Sequence, residues 1–341
     1  MKNDLAKIWN ELKPSEKQSI FKEVADTRGL PPAAVEKDWW VVRTLELVFT
    51  TEIAAHTVFK GGTSLSKAWN VIDRFSEDID LALDRKFLGF NKEMTNSQVK
   101  KLREHSFKYI SSTYFPLLQK TFQSVGFTDV LLQLSATTSN DQDPLIIEVN
   151  YPVVTEKIEY ILPRVLIEIG SRSLREPFTE RNIISLVGEH FAGRNFADIP
   201  INIPTVNPER TFLEKIFLLH EEFSLVQENI RVNRLSRHLY DLEKMMDTEY
   251  AKNALNDFEL FQNIVHHRER LNHLRGLDYS NHSPDKISII PPAKIIGAWK
   301  KDYEAMTENM IYGAAKKFNA LIKRIKELQD RVRNIKMKLI R

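Results

Sequence analysis

The chain of 341 residues contains no cysteine. Disulfides and thiolate metal centres are excluded, which fits a reducing compartment. No apolar run approaches the ~18 residues that a membrane span needs. The opening, MKNDLAKIWNELKPSEKQ, is amphipathic, carries acids and has no apolar signal-peptide core. A cytoplasmic location without membrane contact is expected. Charge of one sign is also lacking: 49 Lys and Arg oppose 46 Asp and Glu, a net charge of +3. A whole-protein field for polyanions is therefore not implied. The nine histidines show no HExxH spacing, so a zinc site of that kind is not expected. No repeat of fixed period occurs.

What is present suits a globular protein with a real core: 42% hydrophobic and 28% charged residues. The length predicts more than one domain, at ~100–200 residues each. Residues 1–50 read as a helical cap, with a Ser15–Gln18 capping box and with Pro31 and Pro32 opening a helix through AAVEKDWWVVRTLELVF. Residues 51–205 alternate helices with short strands: TVFK, DIDLAL, VLLQLSAT, LIIEVNY and RVLIEIG. A long helix, about 96–125, lies between the second and third strands, and TTSNDQDP reads as a hairpin loop. Residues 206–341 read as helical: TFLEKIFLLHEEFSL, SRHLYDLEKMM, NALNDFELFQNIVHHRERL and a basic terminal helix. The expected fold class is α/β (α+β), a mixed sheet flanked by helices.

The stretch FKGGTSLSKAWNVIDRFSEDIDLAL concentrates the chemistry. Residues i and i+2 of a strand share a face, so Asp78 and Asp80 emerge side by side. Two adjacent carboxylates resist joint ionisation and call for a cation between them. Few hard oxygen ligands suit Mg²⁺, which keeps waters and shares its shell with substrate phosphates. Upstream, Gly61 and Gly62 end a strand and run into a helix at Ser64–Trp69. Such a turn lets backbone N–H groups approach a phosphate, with Thr63 and Ser64 as added hydroxyl donors and Lys60 as a neighbouring cation. A lone Gly-Gly is usually a turn, and a lone Asp-x-Asp a solvated strand end. In this order and spacing they point to metal-assisted nucleotidyl transfer from a nucleoside triphosphate. No Gly-Lys-Ser/Thr follows the glycines, so this is not a Walker A loop.

GGTSL followed by RFSEDIDL resembles the AbiEii/AbiGii-type nucleotidyltransferase toxins, a branch of the DNA polymerase beta-like superfamily. VEKDWW, EKIFLL and RHLYDL extend the resemblance over most of residues 35–245. It implies a polymerase-beta-like core, an NTP with Mg²⁺, an acceptor hydroxyl expected at the tRNA 3′ end, and a restraining antitoxin. It also implies a third carboxylate, which helps to hold the metal and acts as base. Glu168 and Glu148 both fit, and Glu168 is favoured. The bland alternative pairs Glu168 with Arg164 or Arg172. Lys215, in an otherwise apolar helix turn, is a candidate point charge for the triphosphate; Asp241 matches the family's second-helix aspartate, and Arg237 is a candidate to face phosphate. By spacing alone, Arg237 and Asp241 are only an i,i+4 ion pair, and Lys215 is a snorkelling lysine.

Ser76, two residues before Asp78, would share the acidic face on a continuing strand, and a phosphate there would compete for the metal. Glu36, Lys37 and Asp38 are expected to fasten the N-terminal helix to the core, and Trp39 and Trp40 to pack. Ten lysines and arginines between Lys316 and Arg341 offer either an RNA-binding face or a solvated helix. Two rival functions remain: nucleotidylation of a protein hydroxyl, and a catalytically silent interaction module of the same fold.

Overall fold

A computed structural model describes residues 2–91, 94–272, 274 and 276–335. The chain divides into two units. One comprises residues 1–69 and 75–206, the other residues 70–74 and 207–341.

The first unit opens with helices α1 (Lys2–Glu11), α2 (Pro14–Arg28) and α3 (Pro32–Val48). Glu16, not Gln18, closes the cap of α2. Its carboxylate accepts the Lys13 N–H at 2.6 Å, because Pro14 starts the helix one residue before Ser15. Strand β1 (Thr57–Lys60) leads into α4 (Gly61–Lys67), and β2 (Asp78–Leu83) follows. The glycines are thus the first turn of α4 rather than a loop ahead of it.

The long helix of 96–125 is present as α5 (Asn96–Tyr109) and α6 (Phe115–Ser124), joined by a wide turn at Ile110–Tyr114. Pro116 has no N–H for the preceding turn, which accounts for the widening there. Strands β3 (Leu131–Leu134), β4 (Leu145–Asn150), β5 (Arg164–Gly170) and β6 (Phe178–Ile183) come next, then α7 (Leu186–His190) and β7 (Ile201–Val206).

The seven strands form one mixed sheet in the order β3-β4-β5-β2-β1-β7-β6. The β2–β5 and β1–β7 pairs are parallel and the others antiparallel. Alternation along the strands gives the sheet two unlike faces. Phe59, Ile79, Leu81, Ile147, Ile167 and Ile169 are buried on one, in a core shared with Trp39, Val42 and Leu45 of α3. Each such side chain contributes roughly 1.5–3 kcal/mol relative to exposure. Trp9 stacks on Trp39 at 4.2 Å and Trp40 on Tyr151 at 5.2 Å, so both α3 tryptophans pack. The other face carries the acids.

The second unit holds α8 (Pro208–Ser224), α9 (Arg237–Met245), α10 (Glu249–Asn256), α11 (Phe258–His267), α12 (Ile296–Met310) and α13 (Phe318–Arg333). The single helix expected over 253–271 is divided. Asp257 leaves the helical conformation, and its carboxylate caps α11 by accepting the Leu260 N–H. In α13, Phe318, Leu321, Ile325, Leu328 and Val332 are buried. Arg324 pairs with Asp247 and Glu327, and Arg331 with Asp247 at 2.9 Å. Lys317, Lys323 and Lys326 are exposed. Lys336, Lys338 and Arg341 of the basic tail lie outside the described residues.

Candidate active site

Asp78 starts β2, and Asp80 follows on the same face; both are half-buried while Ile79 between them is buried. The register of the sheet sets their neighbours. Asp80 stands opposite Lys60 on β1 and opposite Glu168 on β5. Cross-strand partners point to the same side, so Lys60, Asp78, Asp80 and Glu168 share one face. Glu148 belongs to the next strand, opposite Leu166 rather than an acid. Arg164 and Ser135 bind its carboxylate, each at 2.7 Å. The Ser135 hydroxyl, with Arg164 behind it, holds Glu148 below its ordinary range. Arg172 pairs with Asp143 at 3.2 Å.

Gly61 lies directly against the acidic pair. Its φ is +82°, and a β-carbon there would sit 1.9 Å from Asp80 Oδ2. The backbone favours glycine, and any side chain here would have to displace the Asp80 carboxylate. Thr63 and Ser64 are buried. Ser64 donates to the Gly61 carbonyl at 2.8 Å, and Thr63 donates to the Asp78 carbonyl. In this structure both hydroxyls donate to backbone carbonyls. The donors this turn offers are the first N–H groups of α4, which by geometry lack an intrahelical acceptor.

Ser76 lies ahead of β2 rather than on it, since pairing with β5 begins at Asp78 and Leu166. Its Oγ is 2.9 Å from Thr63 Oγ1. The single Thr63 proton is therefore shared between the Ser76 hydroxyl and the Asp78 carbonyl.

Three consecutive residues of α3 fasten that helix to the segments around the sheet. Glu36 accepts the N–H groups of Val154 and Thr155 at 2.9 and 3.2 Å. Lys37 pairs with Glu77 and donates to the Leu162 carbonyl at 2.8 Å. Asp38 binds Lys67 at the end of α4 and the Leu186 N–H, both at 2.7 Å.

The second unit holds a buried polar cluster. Asp241 of α9 takes a two-pronged contact from Arg74, at 2.7 and 2.9 Å, and a third from Lys215 of α8 at 2.9 Å. Asp241 thus bonds Arg74 and Lys215, where spacing suggested the i+4 neighbour Arg237. Burial alone would raise the Asp241 carboxyl, but Arg74 and Lys215 outweigh it and hold it well below the carboxylate range. Burial lowers the Lys215 ammonium, with Asp241 opposing. Burial, then Lys215 and Arg237, push His238 well below its ordinary value, so its ring is neutral. His238 Nδ1 lies 3.3 Å from Lys215 Nζ and accepts from it, because an ammonium only donates. Lys215 is thus a buried member of a charge cluster rather than a snorkelling side chain. Arg74 was not anticipated. It lies 167 residues from Asp241 in sequence, and no local spacing signals it.

Among the described residues no three His, Asp or Glu side chains already converge as a metal cage. Mg²⁺ commonly takes only one or two carboxylates and fills its shell with water and phosphate oxygens. Asp78 and Asp80, with Glu168 in register, supply hard oxygen donors of that kind.

No helix among the described residues is long and apolar enough to cross a membrane. The chain matches the family described as nucleotidyl transferase AbiEii toxin, type IV TA system, over residues 47–330. No curated protein matches it. Among solved structures, MenT4, a nucleotidyltransferase toxin from Mycobacterium tuberculosis, aligns at 18% identity. That alignment covers 92% of this chain and 97% of that one, with a TM-score of 0.44. JHP933 from Helicobacter pylori aligns at 14% identity over 89% and 93%, with a TM-score of 0.41. The match to the family, which spans most of the chain and both the glycine turn and the acidic strand, places this protein in the AbiEii family of nucleotidyl transferase toxins.

Proposed function

We propose that this chain transfers a nucleotide from an NTP to an acceptor hydroxyl, with the 3′ end of tRNA as the acceptor. The observation that carries the proposal is the juxtaposition on one sheet face of Asp78, Asp80 and the in-register Glu168, with Gly61 against Asp80.

In this reading Asp78 and Asp80 hold Mg²⁺, with Glu168 as third carboxylate. Bound there, the ion supplies charge neutralisation at the phosphate oxygens. The α4 backbone at Gly61, Gly62, Thr63 and Ser64 seats the phosphates, and Lys60 adds a cation beside Asp80. The acceptor oxygen forms a bond to the α-phosphorus while the bond from that phosphorus to the bridging oxygen breaks, and pyrophosphate leaves. Glu168 takes the acceptor's proton. Lys215 and Asp241, with Arg237, belong to the reaction on the strength of the family pattern. Exposed Lys317, Lys323 and Lys326 of the second unit are the side chains offered to acceptor RNA. A cognate antitoxin is the expected restraining partner.

The test incubates the protein with Mg²⁺, each labelled NTP and bacterial tRNA, beside Asp80→Ala. Label on tRNA that disappears in the variant supports the reading and names the nucleotide. Label on protein instead would move the acceptor to a protein hydroxyl, and no label on either would favour the silent module.

A further inference from the structure

Lys37 occupies a position that its neighbours in α3 do not. Its side chain is 2% exposed, and that of its partner Glu77 is 6% exposed. Glu77 is the residue immediately before Asp78, where β2 begins. The same ammonium donates to the carbonyl of Leu162 at 2.8 Å, two residues before β5 begins at Arg164. One cation therefore ties together the starts of the two parallel strands that carry Asp78, Asp80 and Glu168. Parallel ladders are slightly weaker per residue than antiparallel ones. A slip of one residue would turn every side chain of a strand to the other face. Here such a slip would replace Glu168 beside Asp80 with Ile167 or Ile169. Both charges lie away from water, where an ion pair with a further hydrogen bond is held in one geometry.

We infer that Lys37 is a positioning residue, pinning the register of β2 against β5 and thereby the spacing of the three carboxylates. The inference rests on the metal-dependent reading above. Lys37→Met alone would take the ammonium from a buried carboxylate, so the informative variant is Lys37→Met/Glu77→Gln, which removes both charges at nearly constant volume. Mn²⁺ serves as probe for the Mg²⁺ site. Its binding is read directly by electron paramagnetic resonance, with thermal unfolding recorded in parallel.

The parent protein should bind Mn²⁺, and Asp80→Ala should abolish that binding. The double variant should melt within a few degrees of the parent yet bind Mn²⁺ at least about tenfold more weakly (about 1.4 kcal/mol). Lys37→Arg, which keeps the charge, should bind within about threefold of the parent. A folded double variant with parental affinity would overturn the inference. If the double variant does not fold, Glu77→Gln alone decides: affinity at least about threefold weaker supports the pin, and parental affinity overturns it. Mn²⁺ binding that survives Asp80→Ala would instead remove the metal reading on which the inference stands.

Discussion

Gly61 and Asp80 are in van der Waals conflict for any residue but glycine: a β-carbon on Gly61 would fall 1.9 Å from Asp80 Oδ2 and 2.7 Å from its Cγ. The strand's second carboxylate and the turn's first glycine thus share one space. That contact couples the two halves of the motif physically, and the consequences of disturbing it are specific.

Gly61→Ala should cost stability modestly and activity severely. The φ of +82° adds about 1–3 kcal/mol of backbone strain. The new methyl must also push the Asp80 carboxylate off its place. Nucleotide transfer should fall by about a hundredfold or more, while urea unfolding shows a loss of only about 1–3 kcal/mol. An alanine variant with parental transfer would separate the glycine from the acid.

Ser76→Asp should inactivate the enzyme. The added carboxylate would break the hydroxyl contact with Thr63 and place negative charge two residues ahead of Asp78. Transfer should drop by about a hundredfold, with Ser76→Ala within about threefold of the parent. A fully active Ser76→Asp protein would exclude phosphorylation at this residue as a switch.

Asp241→Asn tests the buried cluster. Arg74 and Lys215 both depend on this carboxylate, and its removal leaves two cations buried beside a neutral His238. Breaking such a pair costs about 3–5 kcal/mol. Denaturant unfolding of the variant should show a loss of that order.

Acid should destabilise the second unit before its carboxylates titrate. Burial, with His282 close by, lowers His220 from 6.5 to about 4. In the unfolded chain this ring gains a proton near pH 6.5, whereas in the folded chain it stays neutral to about 4. The contribution is complete above pH 6.5 and is lost as pH falls through that window, up to about 3 kcal/mol. His238 is shifted in the same direction and adds to the slope. Asp241 is also lowered, so its share is lost only below its ordinary 3.8. Unfolding free energy measured from pH 7 to 4 should fall steeply, and His220→Gln should flatten the slope.

Much of this arrangement was readable before the fold. The five strands from TVFK to RVLIEIG announce themselves by short runs of Val, Ile and Leu, and DIDLAL places its acids by alternation alone. The two remaining strands do not. FTERNI is polar because it is an edge strand with mostly exposed side chains, and INIPTV carries Pro204. Pro204 stands opposite Glu180 inside a strand paired on both sides, and a proline in such a run argues against reading it as a strand. The choice between Glu168 and Glu148 was open in sequence because both sit in alternating strands. Strand pairing puts Glu168 opposite Asp80 and Glu148 opposite Leu166, with Arg164 on the Glu148 carboxylate. Arg74 had no sequence signal, since Asp241 has a plausible local partner in Arg237 and the true contact is long-range. The helix α12 was also missed, in a stretch after 270 that matched no pattern.

The most direct test of nucleotidyl transfer by the β2 carboxylates uses two labels. The same NTP is supplied with radioactive phosphorus at either the α or the γ position, with Mg²⁺ and tRNA, to the parent and to Asp80→Asn. The α label should join the acceptor and the γ label should leave as pyrophosphate, and Asp80→Asn should do neither. Transfer of the γ label to the acceptor, or transfer of the α label that persists in Asp80→Asn, would contradict it.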